Sequence, residues 1–283
     1  MPHNQPVIPI TTTDDHHFEL IHARADHAVD SLLLIPGMGL SARQYIAFAE
    51  ALAGHGIEVF IHEWRGIGSS DLRASRSSNW GYRELIELDL HASVDAAVKH
   101  TGREQLLMGG HSLGSQFACM LSGRMPHRCK ALVLIAGGAP YWRTFGFGMK
   151  LLMLAVIAGF PAIATMRGHY PGKRLGFAGR ESRGVIFDWA RTARTGRYRP
   201  RGIDTDLESA MASIGAPALA IAMADDWFVP ESSLRWLTGK LKNASITYQI
   251  VDAEEKVDHY KWMKQPEVTT GKIVQWMKDN SLL

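Results

Sequence analysis

Residues 106–116 read LLMGGHSLGSQ. An apolar run leads into Ser112, which has Gly110 and Gly114 two positions either side, and a segment of small and apolar residues follows. Gly and Ser are common in ordinary turns. Here they sit where a strand should hand over to a helix. Two residues without a Cβ around one serine suit a tight, strained turn that pushes the hydroxyl out of the fold.

The surroundings support that reading. Upstream, SLLLIP (31–36) reads as a buried strand, and SARQYIAFAEALAGHG (41–56) reads as a helix with Ser41 as its N-cap. IEVFIHEW (57–64) is a second strand. In the segment beginning at Tyr82, the residues Tyr82, Ile86, Leu90, Val94 and Ala97 fall on one helical face. The strand before Ser112, the helix after it and the strand ALVLIAGGA (131–139) continue the alternation. Such a chain builds right-handed crossovers and a mostly parallel sheet covered by helices on both sides, an α/β fold. The alternation stops at Pro140. Residues 140–205 contain no clear strand and read as a helical lid inserted into the core formed by 1–139 and 206–283. It resumes with APALAIAMADD (216–226), a helix around ESSLRWLTGKL, the strand SITYQIVD (245–252) and a last helix from Pro266.

Composition agrees with a globular protein. Of 283 residues, 46% are hydrophobic and 21% charged, enough for one large or two ordinary domains. Cys119 and Cys129 are the only cysteines, which excludes a disulfide framework and a cysteine metal cluster and suits a reducing compartment. The N-terminal residues lack a basic stretch followed by an apolar one, so no signal peptide is read and a cytoplasmic location is expected. Residues 145–166 approach membrane-spanning length, but Lys150 and Pro161 interrupt them. A buried or lid helix, able to touch lipid or a greasy substrate, is expected rather than a transmembrane segment.

G-x-S-x-G between strand and helix is the setting of a nucleophile elbow. On this motif and the order of elements around it, the chain resembles the α/β-hydrolase superfamily over nearly all its length outside the insert. The resemblance implies the order nucleophile, acid, histidine. Ser112 is then the nucleophile. AMADDWFVP delivers two aspartates to the end of a strand, and the Val-Pro that follows selects Asp226, with Asp225 as the fallback. His259 is the only histidine after Asp226 and lies in the loop where the superfamily carries its base. His111 fills the variable position of the motif and is expected to pack against the elbow. The superfamily's oxyanion hole maps onto the backbone N–H groups of Leu113 and Met38, although Pro36-Gly37 stands where His-Gly is common. EWRGIGSS (63–70) resembles another of its loops, with Glu63 in place of aspartate and Arg65 expected to tie loops together.

The triad implies a serine hydrolase that cleaves a carboxylic ester or thioester with a hydrophobic acyl part, and it requires neither cofactor nor metal. The same triad serves an acyltransferase, and an inactive binding protein on the same fold is a third reading. Net charge is only +3, yet residues 143–201 hold twelve Lys or Arg against Glu181 and Asp188 alone. An apolar first half and a basic second half of the insert suit an amphiphile, such as an acyl thioester on coenzyme A or a carrier protein. Arg191, Arg194 and Arg197 are the candidates to meet its anionic part, against the plainer reading of a solvated face. No nucleic-acid motif occurs.

Overall fold

A computed structural model describes residues 5–224 and 226–283. In chain order the first elements are β1 (Val7–Thr11), β2 (His17–Ala23), β3 (Asp30–Ile35), α1 (Ile46–Ala53) and β4 (Ile57–Ile61). A wide helical turn at Glu84–Leu90 leads into α2 (His91–Thr101), followed by β5 (Leu106–His111), α3 (Leu113–Arg124) and β6 (Cys129–Ile135). Next come α4 (Phe147–Arg167), β7 (His169–Pro171), α5 (Gly172–Leu175), β8 (Arg180–Ser182), α6 (Arg183–Thr195) and α7 (Leu207–Ala212). The chain ends with β9 (Ala218–Met223), α8 (Glu231–Thr238), β10 (Ile246–Val251) and α9 (Glu267–Asp279).

Eight strands form one sheet in the order β1-β2-β4-β3-β5-β6-β9-β10. From β4 to β10 every pairing is parallel; β1 with β2 and β2 with β4 are antiparallel. The inner parallel strands β3, β4, β5, β6 and β9 are buried on both faces, which is why they read as apolar runs, whereas the edge strand β10 keeps exposed side chains such as Tyr248 and Ile250. Along β5 and β6, Leu106, Met108, Leu132 and Leu134 enter one core with Val94 of α2 and Phe117 and Leu121 of α3. Leu107, Val133 and Ile135 enter the other core with Phe48 and Leu52 of α1 and Trp276 of α9. Each such buried side chain contributes about 1.5–3 kcal/mol of transfer free energy.

The sheet is mostly parallel as expected, with β1 and β2 adding an antiparallel margin at one edge. Two expectations need correction. Residues 140–205 do contain strand: β7 and β8 pair antiparallel over three residues each. Pro161 does not interrupt the apolar segment, and α4 runs through it for 21 residues. One hydrogen bond is lost there, and packing on α6 and β7 holds the helix. Among the described residues, α4 is also the one helix long and apolar enough to cross a membrane by length and composition.

Candidate active site

Ser112 sits between β5 and α3 with φ 53° and ψ −116°, a backbone conformation outside the wells that residues with a Cβ normally occupy. Both glycines of the motif are there for close approach. A Cβ on Gly110 would collide with the backbone of Gly114, and a Cβ on Gly114 would fall on the carbonyl oxygens of Ile35 and Pro36 at the end of β3. The turn is tied down by Ser112 N–H donating to Ile135 O (3.1 Å) and by Ser115 Oγ–H donating to Gly110 O (2.6 Å). The sheet therefore holds the strain, and the hydroxyl faces a cavity of about 380 Å³ that Ser112, His259, Met38 and Leu113 all line.

Asp226 follows β9 and is buried. Its Oδ1 accepts the N–H groups of Phe228 (2.9 Å) and Val229 (2.8 Å), leaving Oδ2 for Nδ1 of His259 at 2.7 Å. An ionised carboxylate can only accept, so Nδ1 carries the proton and Nε2 keeps its lone pair. His259 lies in the loop after β10. Asp258 Oδ1 shapes that loop by accepting from Tyr260 N and Lys261 N (both 2.9 Å), and Trp262 Nε1–H donates to His259 O at 3.1 Å. The ring is hemmed in by His111, Phe228 and Tyr260, with centroids 4.7, 5.3 and 4.7 Å away. The structure thus brings Asp226 and His259 into contact and places Ser112 and His259 on one cavity. Within 3.5 Å it closes no hydrogen bond between Ser112 and His259. Such bonds are often long before substrate binds. Asp225, the fallback acid, lies outside the described residues.

The loop after β3 is anchored by two aromatic side chains that sequence reasoning missed. Trp64 Nε1–H donates to the carbonyls of Pro36 (3.2 Å) and Gly37 (3.1 Å). In a trans peptide the N–H points away from the C=O, so fixing Gly37 O turns the Met38 N–H to the opposite side. That amide has no acceptor among the described residues. Leu113 is the first residue of α3, and its N–H lacks an intrahelical acceptor. Gly37 N–H donates to Tyr45 Oη (2.8 Å), which also shares a hydrogen bond with Nδ1 of His111 (2.7 Å). Burial holds the His111 imidazole well below its ordinary pKa, so it stays neutral in this chain of bonds. No single-sequence signal joins Tyr45 or Trp64 to this loop.

The rest of the cavity is apolar. The inner face of α4 supplies Met149, Met153, Val156 and Phe160, and Phe177, Trp189 and Trp227 close its sides. The cationic candidates are elsewhere: Arg191, Arg194 and Arg197 do not line the cavity. Arg191 is occupied with Asp188 Oδ1 (3.1 Å) and Arg199 O (3.0 Å), because α6 turns its apolar side toward the cavity and its arginines away. Arg65 does tie loops: its guanidinium bonds Asp89 through Nε (2.9 Å) and Nη2 (2.6 Å) and Asp14 through Nη1 (2.6 Å). Among the described residues no group of three or more His, Cys, Asp or Glu could hold a metal ion.

These features agree with what the chain resembles. Residues 30–166 match the family model described as alpha/beta hydrolase fold. A carboxylesterase of the thaumarchaeon Nitrososphaera gargenis superposes with a TM-score of 0.62 at 16% identity, covering 96% of this chain and 98% of that one. A hydrolase from Pseudomonas aeruginosa PA01 gives 0.61 at 19% identity over 98% and 99%, and an esterase from Thermogutta terrifontis gives 0.58 at 18% over 97% and 98%. No curated protein sequence matches. By its sheet order, its turn after β5 and these likenesses, the chain has the α/β-hydrolase fold, and residues 30–166 carry the match to that family's model.

Proposed function

We propose that this protein is a serine hydrolase that cleaves carboxylic esters or thioesters with an apolar acyl chain. The observation that carries the reading is the Asp226–His259 pair at 2.7 Å on the same cavity as a serine held at φ 53°. As substrate enters, the Ser112 Oγ attacks the acyl carbon and its proton passes to Nε2 of His259. Asp226 keeps the imidazole in that tautomer and stabilises the imidazolium. The N–H groups of Met38 and Leu113 donate to the oxyanion as it develops. His259 then returns the proton to the leaving oxygen or sulfur as the bond breaks. Water attacks the acyl-Ser112 ester with His259 as base, releasing the acid and restoring the serine hydroxyl. Met149, Met153, Val156 and Phe160 bury the acyl chain, which supports an apolar substrate over a charged one.

The test is a panel of chromogenic acyl esters and acyl thioesters from acetyl to palmitoyl, run with wild type and Ser112→Ala. Turnover that rises with chain length and vanishes in Ser112→Ala is expected. Equal turnover in the two proteins would overturn the assignment.

A further inference from the structure

The outward face of α4 breaks the rule for a surface helix. A solvent-facing stripe should carry charged and polar side chains. Here Phe147, Leu151, Leu154, Ala158, Ala162 and Met166 follow one another at helical spacing along the exposed side, with Phe147 80% and Met166 66% exposed. Thr165, on the same side, spends its hydroxyl on Pro161 O at 2.8 Å. The segment has a mean hydropathy of 1.9 while only 11% of it is buried. It is not shaped to span a bilayer, because its other face lines the cavity beside Ser112 and packs on α6.

The charges around the stripe choose its occupant. Lys150, Arg167, Lys173 and Arg174 have no acidic partner among the described residues, and no acid occurs in the sequence between Glu104 and Glu181. Arg167 and Arg174 border a surface cleft with Ile163, Met166 and Leu175, and Leu175 also lines the active-site cavity. The cationic rim therefore runs up to the cavity wall. Burial first, then the charges of Arg180, Arg167 and Arg174, lower the pKa of nearby His169. Two copies meeting through α4 would bring only like charges together. An anionic lipid surface offers the complement: headgroups for the cations and acyl chains for the stripe.

We propose that the outward face of α4 lies in the interfacial layer of an anionic lipid bilayer, with Lys150, Arg167, Lys173 and Arg174 among the headgroups. The cavity then opens beside the membrane, and an amphiphile reaches Ser112 without crossing water.

Sedimentation of the full chain with vesicles tests this without reference to catalysis. Vesicles of phosphatidylcholine alone are compared with vesicles containing a one-third share of phosphatidylglycerol, at low and physiological salt. Binding only to the anionic vesicles, weakened by salt, is expected. Each cation near such a surface is worth roughly fivefold, so Arg167→Glu with Arg174→Glu should weaken binding by at least about 25-fold. Leu151→Glu with Leu154→Glu should abolish it while the circular dichroism spectrum stays the same. Should that double variant not fold, Phe147→Asp at the exposed end reads the same face. No preference for anionic vesicles, or unchanged binding in the stripe variants, would overturn the proposal. So would a dimer in sedimentation velocity that Leu151→Glu with Leu154→Glu dissolves while no vesicle is bound.

Discussion

Replacing Gly114 by alanine should damage both stability and turnover, although alanine is the better helix former. Gly114 is the second residue of α3, and a Cβ there falls on the carbonyl oxygens of Ile35 and Pro36. Ordinary van der Waals contact needs 3.4–4 Å, so α3 and the end of β3 would have to part by on the order of 1 Å in a close-packed interior. Overpacking of this kind costs about 1–3 kcal/mol. The two elements that would separate carry Leu113 and the loop with Met38, and a misplacement of about 1 Å is worth roughly 10² in rate. Gly271→Ala is the internal control: it lies on the exposed side of α9, where a Cβ meets nothing within 4 Å. The same chemical change should there stabilise by about 0.5–1 kcal/mol and leave turnover alone. Urea unfolding followed by circular dichroism, with ester hydrolysis on the same samples, reads both effects. If Gly114→Ala matches wild type in stability and rate, the close approach of elbow and β3 is wrong.

Asp226→Asn should lower kcat by roughly 10³–10⁴ with little change in KM, because the amide holds His259 in the wrong tautomer; steady-state kinetics on one ester decides this. Along a series of straight acyl esters, kcat/KM should rise about fourfold per added CH₂ until the cavity is filled, following about 0.8 kcal/mol per buried CH₂, and a flat series would refute an acyl site against α4. Burial raises the Glu63 carboxyl to about 7 from an ordinary 4.5. The folded state therefore binds that proton more tightly than the unfolded chain, and stability should fall by up to about 3 kcal/mol as pH rises from 4.5 through 7. Glu63→Gln should flatten this part of the unfolding-versus-pH curve; an unchanged slope would contradict the burial argument.

What the sequence made legible follows from where the signal is local. The elbow shows because Gly110, Ser112 and Gly114 act within five residues, and Asp226 and His259 show through chain order. The parallel strands show because burial on both faces leaves apolar runs such as Leu32–Ile35. The edge strand β1 carries Pro9 and exposed side chains, while β7 and β8 are three residues each, so none has a run to read. The anchoring of the Met38 loop depends on Trp64 and Tyr45, whose partners no spacing rule connects to them. The basic composition of the insert was visible, but not which face each cation occupies. Composition alone therefore points to Arg191, Arg194 and Arg197, which the structure places away from the cavity.

The central claim is that His259, oriented by Asp226, activates Ser112. Its most direct test is labelling by a fluorophosphonate probe, followed by peptide mapping in a mass spectrometer. Wild type should carry a single adduct on Ser112. His259→Ala should carry none while keeping its circular dichroism spectrum and unfolding midpoint. An adduct on another residue, or undiminished labelling of Ser112 in His259→Ala, would contradict the account.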